Sequence, residues 1–599
     1  WEAALAENGP LPGGLTPKRL AAQLAESGLQ AVERTARALL QEGILRCETR
    51  GAETRLAIPR PGSEVGVLIV EGWTPGAPSL FPRLRLFRQE GQGAPCLIET
   101  PAELLAFVAP ALRGAAQGDL ERLAGELTDG WLNDALGSAC RAAWSARLRD
   151  AAKAEGEADG KTTFWDWLKD RPDPLEQALV LEQWSATGHP YHPTHKTRLG
   201  MTPAEVLRSC PEFAPRVEVG LVAARRDRVR RETLPGSVPA EAWLDHHFPA
   251  QAAAWREQLA ALGHDPADYL PLPVHPWQAR HVIPTKFAQA IAKGDLLPLP
   301  GPSIPAGPMV SVRTLTPLTA AAAPHLKLSL GVRLTSVERT ISPRSCEMGP
   351  RISKLLQDLT ARDATLAETL RILPEEAGLY FASDDPAEHE EARHLATLLR
   401  RGLARTCDGD EVVIPTTALT VDSPAGGAPL FLEIAETTAA MAEARFADYA
   451  ARLLRPLLTL YLRYGIALEA HQQNTIALYS RAGALRHFLF RDFGGIRIHE
   501  PTLRAAGLDL EVHPERLTVV EERAAVRSKL TSRTFQYHLG FLISRICQHL
   551  GSSERPYWAA VADAVQTIMD ELQGDVVAAT WRQERSALLD EDWGFKASL

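Results

Sequence analysis

Prolines and histidines gather in the middle of this chain. From residue 163 to about 385 the sequence is Pro- and His-rich with β-branched runs at 310–314 and 326–341, whereas both flanks are rich in Ala, Leu, Arg and Glu. Proline fixes φ and removes a backbone donor, so this middle cannot continue a helical bundle and must fold as strands and long ordered loops. The flanks place apolar residues at helical steps, as at Leu20, Leu24, Val32, Ala36, Leu39 and Leu40. The pattern predicts an α+β multidomain protein, and 599 residues leave room for about three or four domains. A Gly/acidic stretch at 154–161 reads as an exposed linker closing a helical domain, 1–155. A polar stretch at 384–391 closes an α/β domain, 156–385. A mostly helical domain, 386–599, follows, interrupted by hairpin-like segments at 475–478 and 487–490.

Composition narrows the function. Lys and Arg total 65 against 74 Asp and Glu, a formal net charge of −9, so no overall positive field favours a nucleic-acid backbone. Helices followed by a hairpin at 55–73 do not make a DNA reader of so acidic a chain, and an anionic substrate must meet a local cluster. The 7 Cys form no C-x-x-C pair and read as reduced thiols of a cytoplasmic protein. No basic segment followed by an apolar run opens the chain, so no secretory signal is expected, and the missing initiator Met leaves an upstream piece open. The longest charge-free run, 296–312, contains Pro298, Pro300, Pro302, Pro305 and Pro308, which excludes a membrane helix.

Two apparent motifs fail. Gly156-x-x-x-Gly160-Lys161-Thr162 is one residue short of a phosphate loop and carries Glu155, Glu157 and Asp159, which repel phosphate. His389 and His394 stand five apart, do not share a helix face as a zinc pair would, and read as part of a solvated charged stretch.

Other segments carry chemistry. The densest, 188–200, holds 3 His, 1 Lys and 1 Arg. Its prolines hold the backbone extended and display His189, His192, Lys196 and Arg198 as an anion or polycarboxylate binder requires. At His275-Pro-Trp277, packing under the neighbouring loop is the stronger reading. Alternate residues of a strand face one side, so Thr335 and Arg339 share a face and meet Arg313 and Lys327 from neighbouring strands. Such cations suit a triphosphate plus a carboxylate. Glu469-Ala-His471-Gln-Gln473-Asn474 and Arg491-Asp492-Phe-Gly-Gly495 add hard oxygen ligands for Mg²⁺ on phosphates.

In order along 188–496, six motifs resemble the IucA/IucC family of NRPS-independent siderophore synthetases. They are Gly188-His-Pro-x-His-Pro-x-x-Lys196-x-Arg198, Pro273-Val-His-Pro-Trp-Gln278, Lys327-x-Ser-Leu, Thr335-Ser-x-x-Arg339-Thr-Ile341, Glu469-x-His471-x-Gln473-Asn474 and Arg491-Asp492-x-x-Gly495. The resemblance implies a cupped hand of helical thumb, β-rich fingers and largely helical palm, and a homodimer. It implies an enzyme that uses ATP and Mg²⁺ to adenylate a carboxylate, either citrate or a citrate-derived or dicarboxylic acid. The acyl group then condenses with an amine or hydroxylamine, and AMP and pyrophosphate are released.

By that likeness Ser311, Arg313, Lys327, Thr335, Arg339, His471, Gln473, Asn474 and Asp492 bind ATP. Glu469, Asn474 and Asp492 hold the metal. His189, His192, Lys196, Arg198, Ser336 and Lys596, the last in a terminal Lys-containing segment at 593–599, meet the carboxylate substrate. Arg339, His192 and His471 are catalytic, with Arg339 beside the reacting carboxylate and a neutral His taking the amine's proton where its pKa lies near working pH. Asp492-Phe-Gly and His471-x-x-Asn474 keep a small-molecule kinase transferring the γ-phosphate as the alternative, although the Gly-rich loop and strand Lys of a protein kinase are not found. A non-enzymatic citrate or siderophore binder is the third reading.

Overall fold

The computed structural model describes residues 17–46, 48–50, 53–60, 65–73, 81–112, 116–159, 163–320, 322–335, 337–382, 389–424, 427–434 and 438–594. After helix Pro17–Gln41, the strands β1 (Glu48–Arg50), β2 (Glu53–Pro59), β3 (Val65–Glu71), β4 (Arg85–Glu90) and β5 (Cys96–Leu97) form an antiparallel meander. Sequence reading had found its β2/β3 hairpin at 55–73 but not the rest. β4, Arg-Leu-Phe-Arg-Gln-Glu, buries little beyond Leu86 and gives a weak strand signal. A long helix, Gln117–Asp159, runs through the stretch expected to be a linker. Within 154–159, Ala and Glu are strong helix formers and outweigh the ~1 kcal/mol penalty of Gly156.

The centre of the molecule is a nine-stranded sheet. Its first members are β6 (Val217–Arg225), β7 (Val229–Thr233), β8 (Tyr269–Val274), β9 (Leu296–Leu297), β10 (Ser303–Pro308), β11 (Thr314–Pro317) and β12 (His325–Leu328). The chain then makes a separate hairpin, β13 (Leu330–Leu334) and β14 (Val337–Arg339), and a short strand, β15 (Leu370–Ile372). β16 (Glu375–Phe381) and β17 (Ala396–Arg400) return to the sheet, whose order is β7-β16-β17-β12-β11-β10-β6-β8, with β9 on β6. β17 pairs with β12 and β16, so the sheet crosses the boundary expected near 385. Of the run at 310–314, expected as strand, only Thr314 is strand; 310–313 is the turn joining β10 to β11, and it places Ser311 and Arg313 at a sheet end. Trp243, Trp255, Phe287 and the strand interiors pack the core of this unit.

A second core surrounds helix Ala439–Tyr464. Thr438 caps it by accepting from the Met441 amide, and Gly465 at φ +70° ends it in the left-handed conformation that glycine adopts most easily. Beside it lies a sheet of β18 (Glu411–Pro415), β20 (Thr475–Ser480) and β21 (Leu485–Phe490), joined by β15, in which β20 and β21 form the expected hairpin. β19 (Ile466–Ala467), β22 (Arg497–His499) and β23 (Val519–Val520) make a small third sheet. The loops from β19 to β20 and from β21 to β22 carry the Glu469–Asn474 and Arg491–Gly495 motifs. Among the described residues no helix is long and apolar enough to cross a membrane, and the 6 cysteines are free, 4 of them buried.

Candidate active site

The two motif loops are tied to each other before they meet anything else. The Arg491 amide donates to Asn474 O at 3.0 Å, and its guanidinium donates to Gln473 O at 3.1 and 2.7 Å. Glu182 holds the same guanidinium at 2.6 Å. Glu182 also accepts from the Val310 amide at 2.9 Å, which fixes the β10–β11 turn that carries Ser311 and Arg313. Gly495 passes so close to Glu469 that an added Cβ would lie 2.0 Å from Oε2. Gly495→Ala is therefore expected to lower stability by about 1–3 kcal/mol, the usual cost of overpacking, read as a lower melting temperature; an unchanged melt would contradict this account of the loop contact.

Two acid centres result. Asp492 adopts φ +70°. Its Oδ1 accepts from Lys327 Nζ of β12 at 2.7 Å, and Arg400 of β17 lies 3.6 Å from Oδ2. Burial alone would raise the Asp492 carboxyl, but Lys327 and Arg400 override it and hold it far below the usual range. Glu469 pairs with Lys529 at 2.9 Å and Arg533 at 3.4 Å. There too burial opposes ionisation, and Lys529, with His471 and Arg533, brings the pKa to about 2. Both groups are anionic at neutral pH.

Two cations have no such partner. Arg313 donates from one nitrogen to Arg339 O and Thr340 O, each at 2.8 Å. Arg339 donates to Thr335 Oγ1 at 2.5 Å, and among the described residues neither guanidinium forms an ion pair. Burial, followed by Arg313 and Arg198, lowers the Arg339 pKa to about 10, which leaves it charged. Thr335 and Arg339 were expected to share a strand face. Instead Thr335 sits just past β13 at φ +59°, a strained conformation for a β-branched residue, and Arg339 reaches back to its hydroxyl.

The 188–200 segment forms no helix, as expected, but half of it is buried rather than displayed. Helix Gln117–Asp159 covers it: Asn133 donates to Lys196 O at 3.1 Å, Thr197 donates to Glu126 O at 2.7 Å, and the Arg198 amide donates to Asp129 at 2.6 Å. Lys196 Nζ is consumed by Glu212 at 2.8 Å and Ala186 O at 2.5 Å, and Arg198 lies 3.7 Å from the same carboxylate. The predicted role of these two cations as substrate ligands gives way to an internal ion-pair cluster. His189 and His192 stay partly exposed, His189 toward His471 and Arg533 and His192 toward Arg339. Backbone amides of Tyr191 and His192 donate to His189 Nδ1, and that of Thr194 to His192 Nδ1, so each ring carries its proton on Nε2. Burial, then Arg339, brings His192 to about 4, and burial brings His471 to about 4. The sequence-derived condition for a base, a pKa near working pH, is met by neither.

His275 is fully buried and caps helix Pro276–His281, while Trp277 donates to Gly200 O at 3.2 Å, the packing role expected of this pair. His394, expected in a solvated stretch, is buried, and its carbonyl accepts from Gln278 at 2.8 Å. Asn474 lies 3.3 Å from His471 Nε2, Gln473 is exposed, and Ser311 is half-buried. Ser336 and Lys596 lie outside the described residues.

Sequence reading missed Arg400, Lys529 and Arg533. Lys529 and Arg533 stand four apart, the spacing at which two helix residues share a face, and a ten-residue π-helix, Thr531–Gly540, begins between them. Such helices are rare and cluster at functional sites.

Two family models match the chain: the IucA / IucC family over residues 177–421 and the ferric iron reductase FhuF-like transporter model over 445–599. An uncharacterized protein, y4xN, of Sinorhizobium fredii is 33% identical over 522 residues, covering 85% of this chain and 82% of that protein. The chain belongs to the IucA/IucC family. Another relative, the D-ornithine–citrate ligase of Staphylococcus aureus, is 28% identical over 410 residues; the match covers 66% of this chain and 62% of the ligase's length. The structure of ATP-bound aerobactin synthetase IucA from Klebsiella pneumoniae matches with a TM-score of 0.67 at 20% identity, covering 90% of this chain and 92% of that one. The small-molecule kinase alternative finds no support in these IucA/IucC relatives.

Proposed function

We propose that this IucA/IucC protein is an ATP-dependent siderophore synthetase. It adenylates a carboxylate, citrate or a citrate-derived or dicarboxylic acid, and condenses the acyl group with an amine or hydroxylamine, releasing AMP and pyrophosphate. The observation that carries the reading is a contrast among neighbours: Arg313 and Arg339, half-buried and without an ion-pair partner among the described residues, stand within electrostatic reach of carboxylates held ionised by lysine and arginine, Asp492 for both and Glu469 for Arg339. The first pair suits incoming anionic oxygens, and the second suits a cation that arrives with them.

In this reading Ser311, Arg313, Lys327 and Thr335 receive the phosphates, and His471, Gln473 and Asn474 line the nucleotide. Mg²⁺ bound to phosphates takes one or two carboxylates. Among the described residues no group of three or more His, Cys, Asp or Glu gathers as a self-contained metal site. Glu469, Asp492 and the Asn474 carboxamide therefore fit a metal that comes with the nucleotide, where it would neutralise charge on the phosphates. A substrate carboxylate oxygen attacks the α-phosphorus, the bond to the β-phosphate oxygen breaks, and pyrophosphate leaves. Arg339 and the Nε2–H groups of His189 and His192 steady the carboxylate and its developing charge as donors, not bases. Lys196 and Arg198 support the loop from within. The cupped-hand division into thumb, fingers and palm belongs to the same reading, with the second boundary moved past β17.

The test is product analysis with ATP, Mg²⁺, hydroxylamine and a panel of citrate, 2-oxoglutarate and succinate. Acid-dependent AMP and pyrophosphate are expected, and ADP as the product would overturn the reading.

A further inference from the structure

Beneath Asp492, three adjacent strands align His325, Arg400 and Glu375, which no sequence motif marks. His325 of β12 is the register partner of Arg400 of β17, and Arg400 is the register partner of Glu375 of β16. Side chains directly opposed across a sheet share a face, and Lys327, two residues on from His325, shares it as well. The group is withdrawn from water, with Glu375 at 0% and Arg400 at 2% exposure. One guanidinium nitrogen of Arg400 bridges two carboxylates, 3.3 Å from Glu375 Oε1 and 3.6 Å from Asp492 Oδ2. Helix Pro343–Arg362 covers this face with a glycine, since a Cβ on Gly349 would stand 2.6 Å from Glu375 Oε2. That oxygen, Arg400 Nε and both ring nitrogens of His325 have no hydrogen-bond partner among the described residues.

A buried ion pair contributes little net stability, because desolvation offsets the attraction. The arrangement makes better sense through what it does to Asp492. That carboxylate is gripped at one oxygen by Lys327, the group that incoming phosphates would draw away, and at the other by Arg400, which is more buried than either Lys327 or Asp492. The backbone on which Asp492 sits is already pinned through Arg491. Burial keeps His325 neutral, with a pKa near 3, so it adds no charge that competes for Glu375.

We propose that Arg400 is a positioning residue of the nucleotide site: it holds Asp492 Oδ2 from below and keeps that carboxylate aimed when Lys327 turns to the phosphates, while Glu375 is the counter-charge that keeps Arg400 in place. This rests on the synthetase reading and deepens it.

The test compares the full chain with Arg400→Gln, Arg400→Lys, Glu375→Gln and the Arg400→Gln/Glu375→Gln double variant. Mg·ATP affinity is read by calorimetry, and KM for ATP and for the acid by pyrophosphate release. Arg400→Gln should weaken Mg·ATP about tenfold, the scale of one lost charge-assisted contact, and leave the acid's KM unchanged. Glu375→Gln should act in the same direction but less, and the double variant should be no worse than Arg400→Gln, because both residues act through one contact. Arg400→Lys should recover the melting temperature but not the affinity, since the lysine ammonium ends short of the terminal guanidinium nitrogen that bridges the two carboxylates. A folded Arg400→Gln protein with wild-type ATP affinity overturns the proposal, as does an equal rise in both KM values. If Arg400→Gln does not fold, wild-type affinity in Glu375→Gln overturns it. A wild-type protein that binds no Mg·ATP sinks the synthetase reading itself and this inference with it, a result distinct from a wild type that binds and a variant that binds equally well.

Discussion

Arg339→Ala is expected to abolish pyrophosphate release, by a factor on the order of 10²–10³ or more, while the melting temperature holds or rises slightly. The guanidinium is half-buried, is hydrogen-bonded to Thr335 Oγ1, and forms no ion pair among the described residues. Burial, Arg313 and Arg198 all press its pKa downward. A cation kept in such surroundings costs the folded state free energy, so removing it does not unfold the protein. What disappears is a donor set aimed at anionic oxygens, which acts most strongly where charge develops in the transition state. Arg339→Lys should recover little, because an ammonium cannot reproduce the planar donor pair. Turnover in Arg339→Ala within a few-fold of wild type would show that this side chain stands away from the chemistry.

Asp492→Asn is expected to lose Mg·ATP binding and stability together. The substitution leaves Lys327 and Arg400 facing a neutral amide. Breaking a buried pair from one side costs about 3–5 kcal/mol, and because the Asp492 side chain is 28% exposed a loss near the lower bound, roughly 3 kcal/mol, is expected. The pH dependence has a definite sign. Lys327 and Arg400 hold the folded carboxyl below its unfolded value near 3.9. Its contribution is therefore complete above pH ~4 and is lost as pH falls through the folded value. The difference in melting temperature between wild type and Asp492→Asn should be largest at neutral pH and shrink in acid. A difference that grew with acidification would contradict the ion-pair assignment.

How far the sequence reached depends on the kind of signal each residue carries. Prolines marked the β-rich centre correctly because their effect on backbone is local. The β20/β21 hairpin was legible for the same reason, since its apolar run and turn lie within a few residues of each other. β17 was not: Ala-Thr-Leu-Leu-Arg is too short to reveal a strand, and its pairing with β12, about 70 residues earlier in the chain, is a property of topology. Arg400 and Glu375 were lost with it, as register partners are invisible until the strands are placed.

The 188–200 loop gives the opposite lesson. Its composition gathers histidines and cations, but composition cannot say which of them stay partly exposed and which face inward. That division depends on Glu212 meeting Lys196 and on helix Gln117–Asp159 lying across the loop. The tautomers of His189 and His192 were equally out of reach, because they are set by backbone amides two and three residues away in a particular turn.

The measurement that tests the central claim most directly is the fate of oxygen from the substrate acid. The protein is incubated with ATP, Mg²⁺, hydroxylamine and ¹⁸O-carboxyl-labelled citrate, and the nucleotide and phosphate products are analysed by mass spectrometry. If the carboxylate attacks the α-phosphorus and the acyl–oxygen bond then breaks on aminolysis, one ¹⁸O appears in AMP and none in pyrophosphate. Label in inorganic phosphate together with ADP would show attack at the γ-phosphorus and contradict the account.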